Sequence, residues 1–436
     1  MLRNRLNFTL LMLIIFILQI TITTNAQPVD STFEVASPSA ILINAKTGQI
    51  LFEKNIHERM YPASITKIMT ATLALEKGNL QSKVIMSHHA VYDIEPGSSN
   101  VGLMEGEEVT LAQLLFCLLL NSGNEAANAI AETIGGSEEN FAKIMTQRAK
   151  ELGAKDTNFV NPNGLPNPNH YTTAYDMSLI AKHAMKLPAF REIINTKNFT
   201  LPPTNKNPRE KELYNSNKLL GNSKYYYPYA IGVKTGYTTI AGSTFVGAAN
   251  KDDIELIAVV LNSPIEGYNS YMYLDTIKMF NHGFDNFEVY KSFDKNHILE
   301  TLKISGGNKA LRAVPQDDLN ILIPKGTNIK DIIITTKINE NLTAPVKKGE
   351  IIGFLSIAEK GRSLQRVNII ANNGVGKSIF AGLSIPKQKS FPSILWFVIK
   401  WILLVITLAV LILIIAAIVY DKYSNHKRRK SKSFLK

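Results

Sequence analysis

The centre of the fold is marked by the stretch Leu111-Ala-Gln-Leu-Leu-Phe-Cys-Leu-Leu-Leu120, which is followed directly by Asn121-Ser-Gly-Asn124. Thr110 is a favourable N-cap residue, so the pattern predicts a helix from Leu111 to Leu120. The run is apolar on all sides, which is typical of a helix buried inside a domain. Ten residues are too few to cross a bilayer. The polar segment that follows the helix should therefore lie inside a globular domain.

Predicted strands lie on both sides of this centre in the sequence. A hairpin is expected near the N-terminal side, and three neighbouring strands are expected after the helices. The strands are predicted at Ala40–Asn44, Gln49–Phe52, Ala230–Val233, Ser243–Ala249 and Ile254–Leu261, and the helices at Ile65–Glu76, from about Ala174, and at Tyr271–Phe280. Strands from remote segments with helices between them predict an α/β (α+β) sandwich with an antiparallel sheet.

After these elements the sequence loses its helical periodicity. Short β-branched runs alternate with turns that contain Gly, Pro and Lys. The clearest runs are Asp331–Thr336, Ile351–Ile357 and Val367–Ile370. The pattern predicts a second, all-β domain over residues 288–386, after a first domain over residues 32–287.

The N-terminus has the composition of an export signal. It begins with the basic segment Met1-Leu-Arg-Asn-Arg5, continues with an apolar run over residues 6–22 and reaches a small residue at Ala26. This order predicts a secretory signal peptide over residues 1–26, cleaved after Ala26. An uncleaved anchor helix is the alternative, but the polar Gln19 weakens it.

A second apolar run covers residues 394–420 and is long enough to predict a transmembrane helix. Trp396 and Trp401 stand at its outer end, where interfacial aromatic residues occur, and Lys400 is its only charge. The basic tail over residues 421–436 is expected to stay in the cytoplasm. The sequence thus predicts a cell-membrane protein with one C-terminal span and an extracellular main part.

Composition excludes several other classes of function. The tail holds about half of the formal net charge of +12, so the exported part is only mildly basic and no nucleic-acid partner is expected. The single cysteine, Cys117, excludes an intrachain disulfide and a thiolate metal cluster, and it is expected in the core. No second potential ligand stands near His88, His89 or His170 at a spacing typical of zinc sites. We expect neither a metal nor a cofactor.

Three short motifs indicate nucleophilic chemistry, although each is weak by itself. They are Ser64-Ile-Thr-Lys67, Ser122-Gly-Asn124 and Lys234-Thr-Gly236. The first pattern, S-x-x-K, is also met at residues 292–295 and 384–387, as chance would produce. The surroundings of each motif must therefore separate the meaningful match from the others.

The surroundings favour the first match. Ser64 opens a helical pattern, so Lys67 lies on the same face, one turn later. A serine at a helix N-terminus also has free backbone N–H groups nearby, which can stabilise an oxyanion. The segment Asn121–Asn124 follows the buried helix, and Lys234–Gly236 is predicted to end the strand Ala230–Val233. Each of the three motifs thus lies at the predicted start or end of a helix or strand.

With their flanks, the motifs resemble the three signatures of the low-molecular-mass penicillin-binding proteins, in the same order and with similar gaps. The family they resemble is the D-alanyl-D-alanine carboxypeptidases, serine peptidase family S11. The segments that carry the resemblance are Pro62-Ala-Ser-Ile-Thr-Lys-Ile-Met-Thr70, Asn121-Ser-Gly-Asn124 and Gly232-Val-Lys-Thr-Gly-Tyr-Thr238, with further similarity at Asn161–Leu165, His170–Met177 and Ala344–Gly349. The resemblance covers about residues 35–385. It implies a penicillin-binding-protein and β-lactamase-like transpeptidase fold.

The resemblance also implies a role for each motif residue. Ser64 would attack the carbonyl between two D-alanines of a peptidoglycan pentapeptide and form an acyl-enzyme. A neutral Lys67 would take its proton, and Ser122 would pass that proton to the leaving D-alanine. Asn124 would hold the acyl amide. β-Lactams, which acylate this family, would act as inhibitors.

The last motif is implied to bind the other end of the substrate. Lys234, Thr235 and Gly236 would bind the terminal carboxylate of the substrate, which restricts cleavage to the end of the peptide. Lys234 would also lower the pKa of the buried Lys67, because it brings a second positive charge close. The backbone N–H groups of Ser64 and Tyr237 would form the oxyanion hole.

Three other functions share parts of this pattern. A class A β-lactamase would need a glutamate before Lys234–Gly236 to activate water, but the loop Asn161–His170 has no acidic residue. An endopeptidase could use the same site on cross-links between wall strands. A wall-binding scaffold without activity would not need Ser64 and Lys67.

Overall fold

The computed structural model describes residues 33–359, 361–378 and 392–432, so the predicted signal peptide lies outside the described residues. The α-helices are α1 Lys67–Lys77, α2 His88–Tyr92, α3 Leu111–Leu120, α4 Asn124–Gly135, α5 Glu138–Glu151, α6 Ala174–Ala184, α7 Pro188–Asn195, α8 Tyr271–Asn286 and α9 Pro392–Lys432. The strands before α8 are β1 Ser39–Asn44, β2 Ile50–Lys54, β3 Lys83–Ile85, β4 Glu108–Thr110, β5 Asn198–Leu201, β6 Lys211–Tyr214, β7 Ala230–Thr238, β8 Gly242–Lys251, β9 Ile254–Ser263, β10 Ile265–Glu266 and β11 Asn269–Ser270. The later strands are β12 Phe287–Phe293, β13 Glu300–Leu302, β14 Leu311–Pro315, β15 Leu319–Pro324, β16 Ile332–Ile338, β17 Ile351–Glu359 and β18 Arg362–Ala371.

A five-stranded antiparallel sheet organises the first part of the chain. Its order is β2-β1-β9-β8-β7, so the N-terminal hairpin pairs with the last of three strands that lie about 200 residues later. The predicted antiparallel sheet of remote segments is confirmed. Strand β7 forms one edge of this sheet, which leaves one side of its backbone without a neighbouring strand in the sheet.

Alternate side chains of the strands enter two separate cores. In β1, Ile41 and Ile43 pack with the helical layer that contains α1, α3, α4 and α6, whereas Leu42 packs on the opposite face with α8. This separation follows from the two-residue period of a strand, since successive side chains point to opposite faces. The sheet is therefore the middle layer of a sandwich, as expected from the sequence.

Helix α3 forms at the predicted residues, and its start has a full capping box. The Thr110 hydroxyl accepts a hydrogen bond from the Gln113 backbone N–H, and the Gln113 side chain accepts one from the Thr110 N–H. Cys117 is fully buried in this helix, and burial raises the pKa of its thiol. The predictions of a central helix and of a core cysteine are both confirmed.

Two predicted elements of the sandwich continue well beyond their predicted ends. Strand β7 continues from Ala230 to Thr238, so the Lys234–Gly236 motif lies inside the strand rather than at its end. Pairing with β8 causes this extension, because Thr238 still pairs with Gly242. Helix α8 continues to Asn286, beyond the predicted end at Phe280, because its later turns still bury Gly283 and Phe284.

Strands dominate the chain from Phe287 to Ala371, which confirms an all-β C-terminal region. Its main sheet has the order β13-β14-β18-β17-β16 and is antiparallel throughout. Ile352, Leu355 and Ile357 of β17 are buried in it. The domain limits at 287/288 and 386 stay predictions.

The chain divides into two compact units by its contacts. The first contains the α/β sandwich and the β sheets. The second comprises Lys303–Ala310, Thr343–Val346 and Val375–Lys436, and therefore includes α9. Within α9, residues Phe397–Lys422 form an apolar helix of 26 residues whose side chains are all exposed, long enough to span a membrane. The predicted span over 394–420 overlaps it at residues 397–420.

Candidate active site

Ser64 lies in a short 3-10 turn, Ala63–Thr66, immediately before α1. Ala63 has a φ of 50°, in the left-handed region that a residue with a Cβ seldom adopts. The turn is fixed from the sheet side, because the Thr244 hydroxyl donates a hydrogen bond of 2.8 Å to the Pro62 carbonyl. Strained backbone held in this way is frequent at functional sites.

Lys67, the first residue of α1, is fully buried, and its ammonium nitrogen has three oxygen neighbours. Nζ lies 3.0 Å from Ser64 Oγ, 2.6 Å from Asn124 Oδ1 and 2.7 Å from the Asn163 carbonyl oxygen. The amide and carbonyl oxygens can only accept hydrogen bonds, so two N–H groups of the lysine must point at them. The third position of the nitrogen therefore faces the Ser64 hydroxyl.

The electrostatic surroundings favour a neutral Lys67. Burial and the nearby charge of Lys234 hold its pKa well below the usual value, while the Glu125 carboxylate partly opposes this effect. Lys234 is also buried, and burial lowers its pKa to about 7. Two buried lysines near one serine form an arrangement that structural packing alone rarely requires.

The second motif joins two buried helices. Asn121 ends α3, and Asn124 begins α4. Between them Ser122 has a φ of 63°, again in the left-handed region. Its Oγ is buried and has no hydrogen-bond partner among the described residues. A buried hydroxyl without a partner is uncommon, so this atom is available for a transient hydrogen bond.

The polar loop at Asn161–Leu165 supplies a group that the sequence did not reveal. Its Asn163 offers the main-chain carbonyl to Lys67, while its side-chain amide donates to Asn128. Gly164 has a φ of 89°, and a Cβ there would overlap the Ala63 carbonyl oxygen. Close approach of this loop to the serine turn thus depends on glycine.

Strand β7 carries the third motif along the side of the serine turn. A Cβ on Gly236 would lie 2.9 Å from the Ser64 backbone nitrogen, so only glycine allows this approach. Tyr237 follows and is largely exposed. Lys234 donates a hydrogen bond of 2.9 Å to the Thr235 carbonyl.

Ser216 is a second residue that sequence reasoning missed. Its Oγ lies 3.0 Å from Thr235 Oγ1, and its backbone N–H donates to the Leu120 carbonyl at the end of α3. The two hydroxyls form a small polar patch beside the third motif. No motif marks Ser216, since its position depends on a loop that folds back onto α3.

These groups surround one cleft of about 630 Å³. Of the predicted site residues, Ser64, Ser122, Asn124, Thr235, Gly236 and Tyr237 line it, and Lys67 and Lys234 lie buried behind. The structure therefore brings all the predicted site residues together. Among the described residues there is no group of three His, Cys, Asp or Glu side chains that could hold a metal ion.

Residues 22–264 match the family model of D-alanyl-D-alanine carboxypeptidase, peptidase S11, and residues 287–377 match that of the penicillin-binding protein 5 C-terminal domain. The chain is 31% identical to the solved penicillin-binding protein 5 of Haemophilus influenzae, with a TM-score of 0.65 over 79% of this chain and 99% of that one. Sheet, helices and cleft thus define the penicillin-binding-protein fold. Within it, the chain belongs to the peptidase S11 family of D-alanyl-D-alanine carboxypeptidases, which are hydrolytic enzymes.

Curated relatives and further structures agree with this assignment. The chain is 35% identical to D-alanyl-D-alanine carboxypeptidase DacF of Bacillus subtilis, over 78% of this chain and 86% of the relative. It is 30% identical to DacC of Escherichia coli, over 81% and 88%. A solved DD-transpeptidase of Streptomyces K15 is 32% identical, with a TM-score of 0.54, and covers 58% of this chain.

Proposed function

We propose that this enzyme removes the terminal D-alanine from peptidoglycan stem pentapeptides through an acyl-enzyme on Ser64. The observation that carries the proposal is the position of Lys67. Two of its three oxygen neighbours, on Asn124 and Asn163, only accept hydrogen bonds, and the third is Ser64 Oγ at 3.0 Å. A neutral amine donates to the first two and directs its lone pair at the Ser64 proton. The lowered pKa of Lys67 supports that neutral form.

In the first step Lys67 takes the hydroxyl proton while Ser64 Oγ attacks the carbonyl carbon of the penultimate D-alanine. The backbone N–H groups of Ser64 and Tyr237 receive the developing oxyanion. The C–N bond then breaks, and the proton reaches the leaving amine through the Ser122 hydroxyl. Water hydrolyses the resulting ester, with Lys67 again as base, which restores Ser64.

Substrate binding would use the free edge of β7 and the side chains around it. An extended peptide can add to an exposed sheet edge through main-chain hydrogen bonds. The side-chain amide nitrogen of Asn124 would bind the acyl amide, since its oxygen is used by Lys67. Thr235 and Ser216 would donate to the terminal carboxylate, and the charge of Lys234 would attract it.

The same chemistry accounts for acylation by penicillins, whose strained amide would occupy the position of the D-Ala-D-Ala bond. No cofactor or metal takes part in any of these steps.

We further propose that the signal peptide directs residues 27–390 outside the cell, where peptidoglycan lies, and that α9 anchors them in the cell membrane with its basic end in the cytoplasm. The enzyme would then act in cell-wall remodelling.

D-Alanine release by the full chain, purified in detergent, from a pentapeptide ending in D-Ala-D-Ala tests the proposal. We expect release by the wild type and none by Ser64→Ala, and mass spectrometry should detect a penicillin adduct only in the wild type. A pentapeptide with an amidated C-terminus should be a poor substrate, because it lacks the carboxylate. Cleavage of cross-linked dimers without trimming of the pentapeptide would instead establish an endopeptidase.

A further inference from the structure

The motif residue Asn124 is followed by Glu125, a buried carboxylate that the proposed reaction does not use. Its Oε1 accepts hydrogen bonds from three consecutive backbone N–H groups, those of Val101, Gly102 and Leu103, at 2.6, 3.0 and 3.4 Å. Three amides directed at one oxygen are a charge-assisted arrangement, stronger than bonds between neutral groups. Glu125 therefore connects the start of α4 to the segment 101–103.

This segment continues directly from a wall of the cleft. Residues Glu95–Ser99 line the cleft together with residues of the β7 motif. The Ser99 carbonyl accepts a hydrogen bond of 2.9 Å from the Asn124 backbone N–H. Four hydrogen bonds thus hold the loop 95–103 against the first turn of α4. The Glu125 carboxylate accepts three of them, and the Asn124 backbone N–H donates the fourth. Displacement of this loop would change both the wall of the cleft and the position of Asn124.

Stability alone does not explain this carboxylate. Its second oxygen, Oε2, is buried and has no hydrogen-bond partner among the described residues, which is unfavourable for a charged group. The Glu125 charge also acts on Lys67, where it opposes the effects of burial and of Lys234. The charged side chains that act on Lys67 are thus Lys234, from β7, and Glu125, from α4.

We infer that Glu125 is a positioning residue of the active site, which clamps the loop 95–103 over Asn124 and supplies a negative charge near the two buried lysines. The inference rests on the proposed function, because it assigns Glu125 a role in the same reaction. Glu125 is not one of the residues that line the cleft. It acts through the loop and through Lys67.

Three variants of the full chain in detergent separate the two effects. Glu125→Ala removes both the hydrogen bonds and the charge. Glu125→Gln keeps an oxygen that can accept the three amide bonds but removes the charge. Glu132→Ala is the matched control, since Glu132 lies on the same helix and its carboxylate binds His89 and Ser87 instead. Each variant is measured by amide hydrogen exchange and by the pH profile of D-alanine release.

We expect Glu125→Ala to increase exchange at residues 101–103 and to lower kcat/KM by about 10-fold or more, because small misplacements of a binding wall are costly. Glu132→Ala should do neither. Glu125→Gln should retain protection at 101–103. Its pH profile should rise at lower pH than that of the wild type, since loss of the negative charge makes Lys67 easier to deprotonate.

The inference would be overturned if Glu125→Ala had the amide exchange and the kinetics of the wild type. It would also be overturned if Glu125→Ala and Glu132→Ala lost equal amounts of protection at 101–103 and of activity. A pH profile of Glu125→Gln that is unmoved or shifted to higher pH would overturn the electrostatic part. If the wild type itself releases no D-alanine, the proposed function fails. The exchange comparison then still decides whether Glu125 clamps the loop.

Discussion

At the scale of single residues, Gly236 controls how closely the sheet approaches Ser64, the proposed nucleophile. A Cβ at this position would lie 2.9 Å from the Ser64 backbone nitrogen, and it would also meet the Thr244 hydroxyl. We predict that Gly236→Ala lowers kcat/KM for D-alanine release by about 100-fold, because it displaces the proposed oxyanion donors. Gly221→Ala, where a Cβ meets nothing within 4 Å, is the control and should retain activity. Equal activity of the two variants would contradict this account.

Lys234 allows a test of the electrostatic coupling between the two buried lysines. While protonated, it lowers the pKa of Lys67. Replacement by the uncharged Met should therefore raise the pKa of Lys67, so that its neutral form appears only at higher pH. We predict that the midpoint of the rate of acylation by a fluorescent penicillin moves to higher pH in Lys234→Met.

The control for that prediction is Lys251→Met. Lys251 ends β8, five residues beyond Val246, which pairs with Lys234. Its replacement should leave the midpoint where it is in the wild type. A midpoint that moves to lower pH in Lys234→Met, or that moves equally in both variants, would show that the charge of Lys234 does not control Lys67.

At the scale of elements, the loop Asn161–Leu165 depends on the backbone of Gly164. Its φ of 89° disfavours any other residue, and a Cβ would overlap the Ala63 carbonyl. Gly136, which ends α4 with a φ of 77°, has the same type of conformation but nothing within 4 Å of a Cβ. Gly164→Ala and Gly136→Ala thus share the conformational strain, of about 1 kcal/mol, and differ in the overlap.

We predict that both alanine variants have a lower free energy of unfolding in urea denaturation. Only Gly164→Ala should also have a lower rate of D-alanine release, by about 10-fold or more, because the serine turn must shift. The measurement is kcat/KM beside the free energy of unfolding for each variant. Full activity in Gly164→Ala would mean that the loop can withdraw without moving Ser64.

Helices and strands could be predicted from the sequence where their ends are determined by nearby residues. Helix α3 begins and ends at the predicted residues because Thr110 caps it and its apolar composition requires burial. The end of β7 was not predictable, since its extension through Lys234–Gly236 depends on pairing with β8. The roles of Asn163 and Ser216 were also hidden. Asn163 acts through its main chain, and Ser216 depends on long-range folding, so neither leaves a pattern in the sequence.

At the scale of the whole molecule, α9 is the proposed membrane anchor of the enzyme. Its apolar part, Phe397–Lys422, would be about 39 Å long at 1.5 Å per residue, more than the roughly 30 Å of a hydrocarbon core. Its many apolar side chains are exposed in the structure, and their contact with water would be unfavourable. We predict that the full chain resists extraction from membranes by alkaline carbonate.

A chain that ends at Ser390 should appear in the soluble fraction, with unchanged kcat on a soluble pentapeptide. A chain that lacks only residues 423–436 is the control, because it keeps the apolar helix and loses most of the basic tail. It should remain in the membrane pellet. Its release by carbonate would instead indicate that electrostatic attraction to anionic lipid retains the enzyme.

The buried cysteine of α3 has a practical consequence for experiments on this enzyme. Cys117 is the only thiol in the chain, it is fully buried, and its raised pKa keeps it protonated and unreactive toward alkylating reagents. A cysteine introduced at an exposed position, such as Ser99→Cys on the loop beside the cleft, would thus be labelled selectively without removal of the native one. A fluorophore or spin label at this position could then report movement of the loop during turnover.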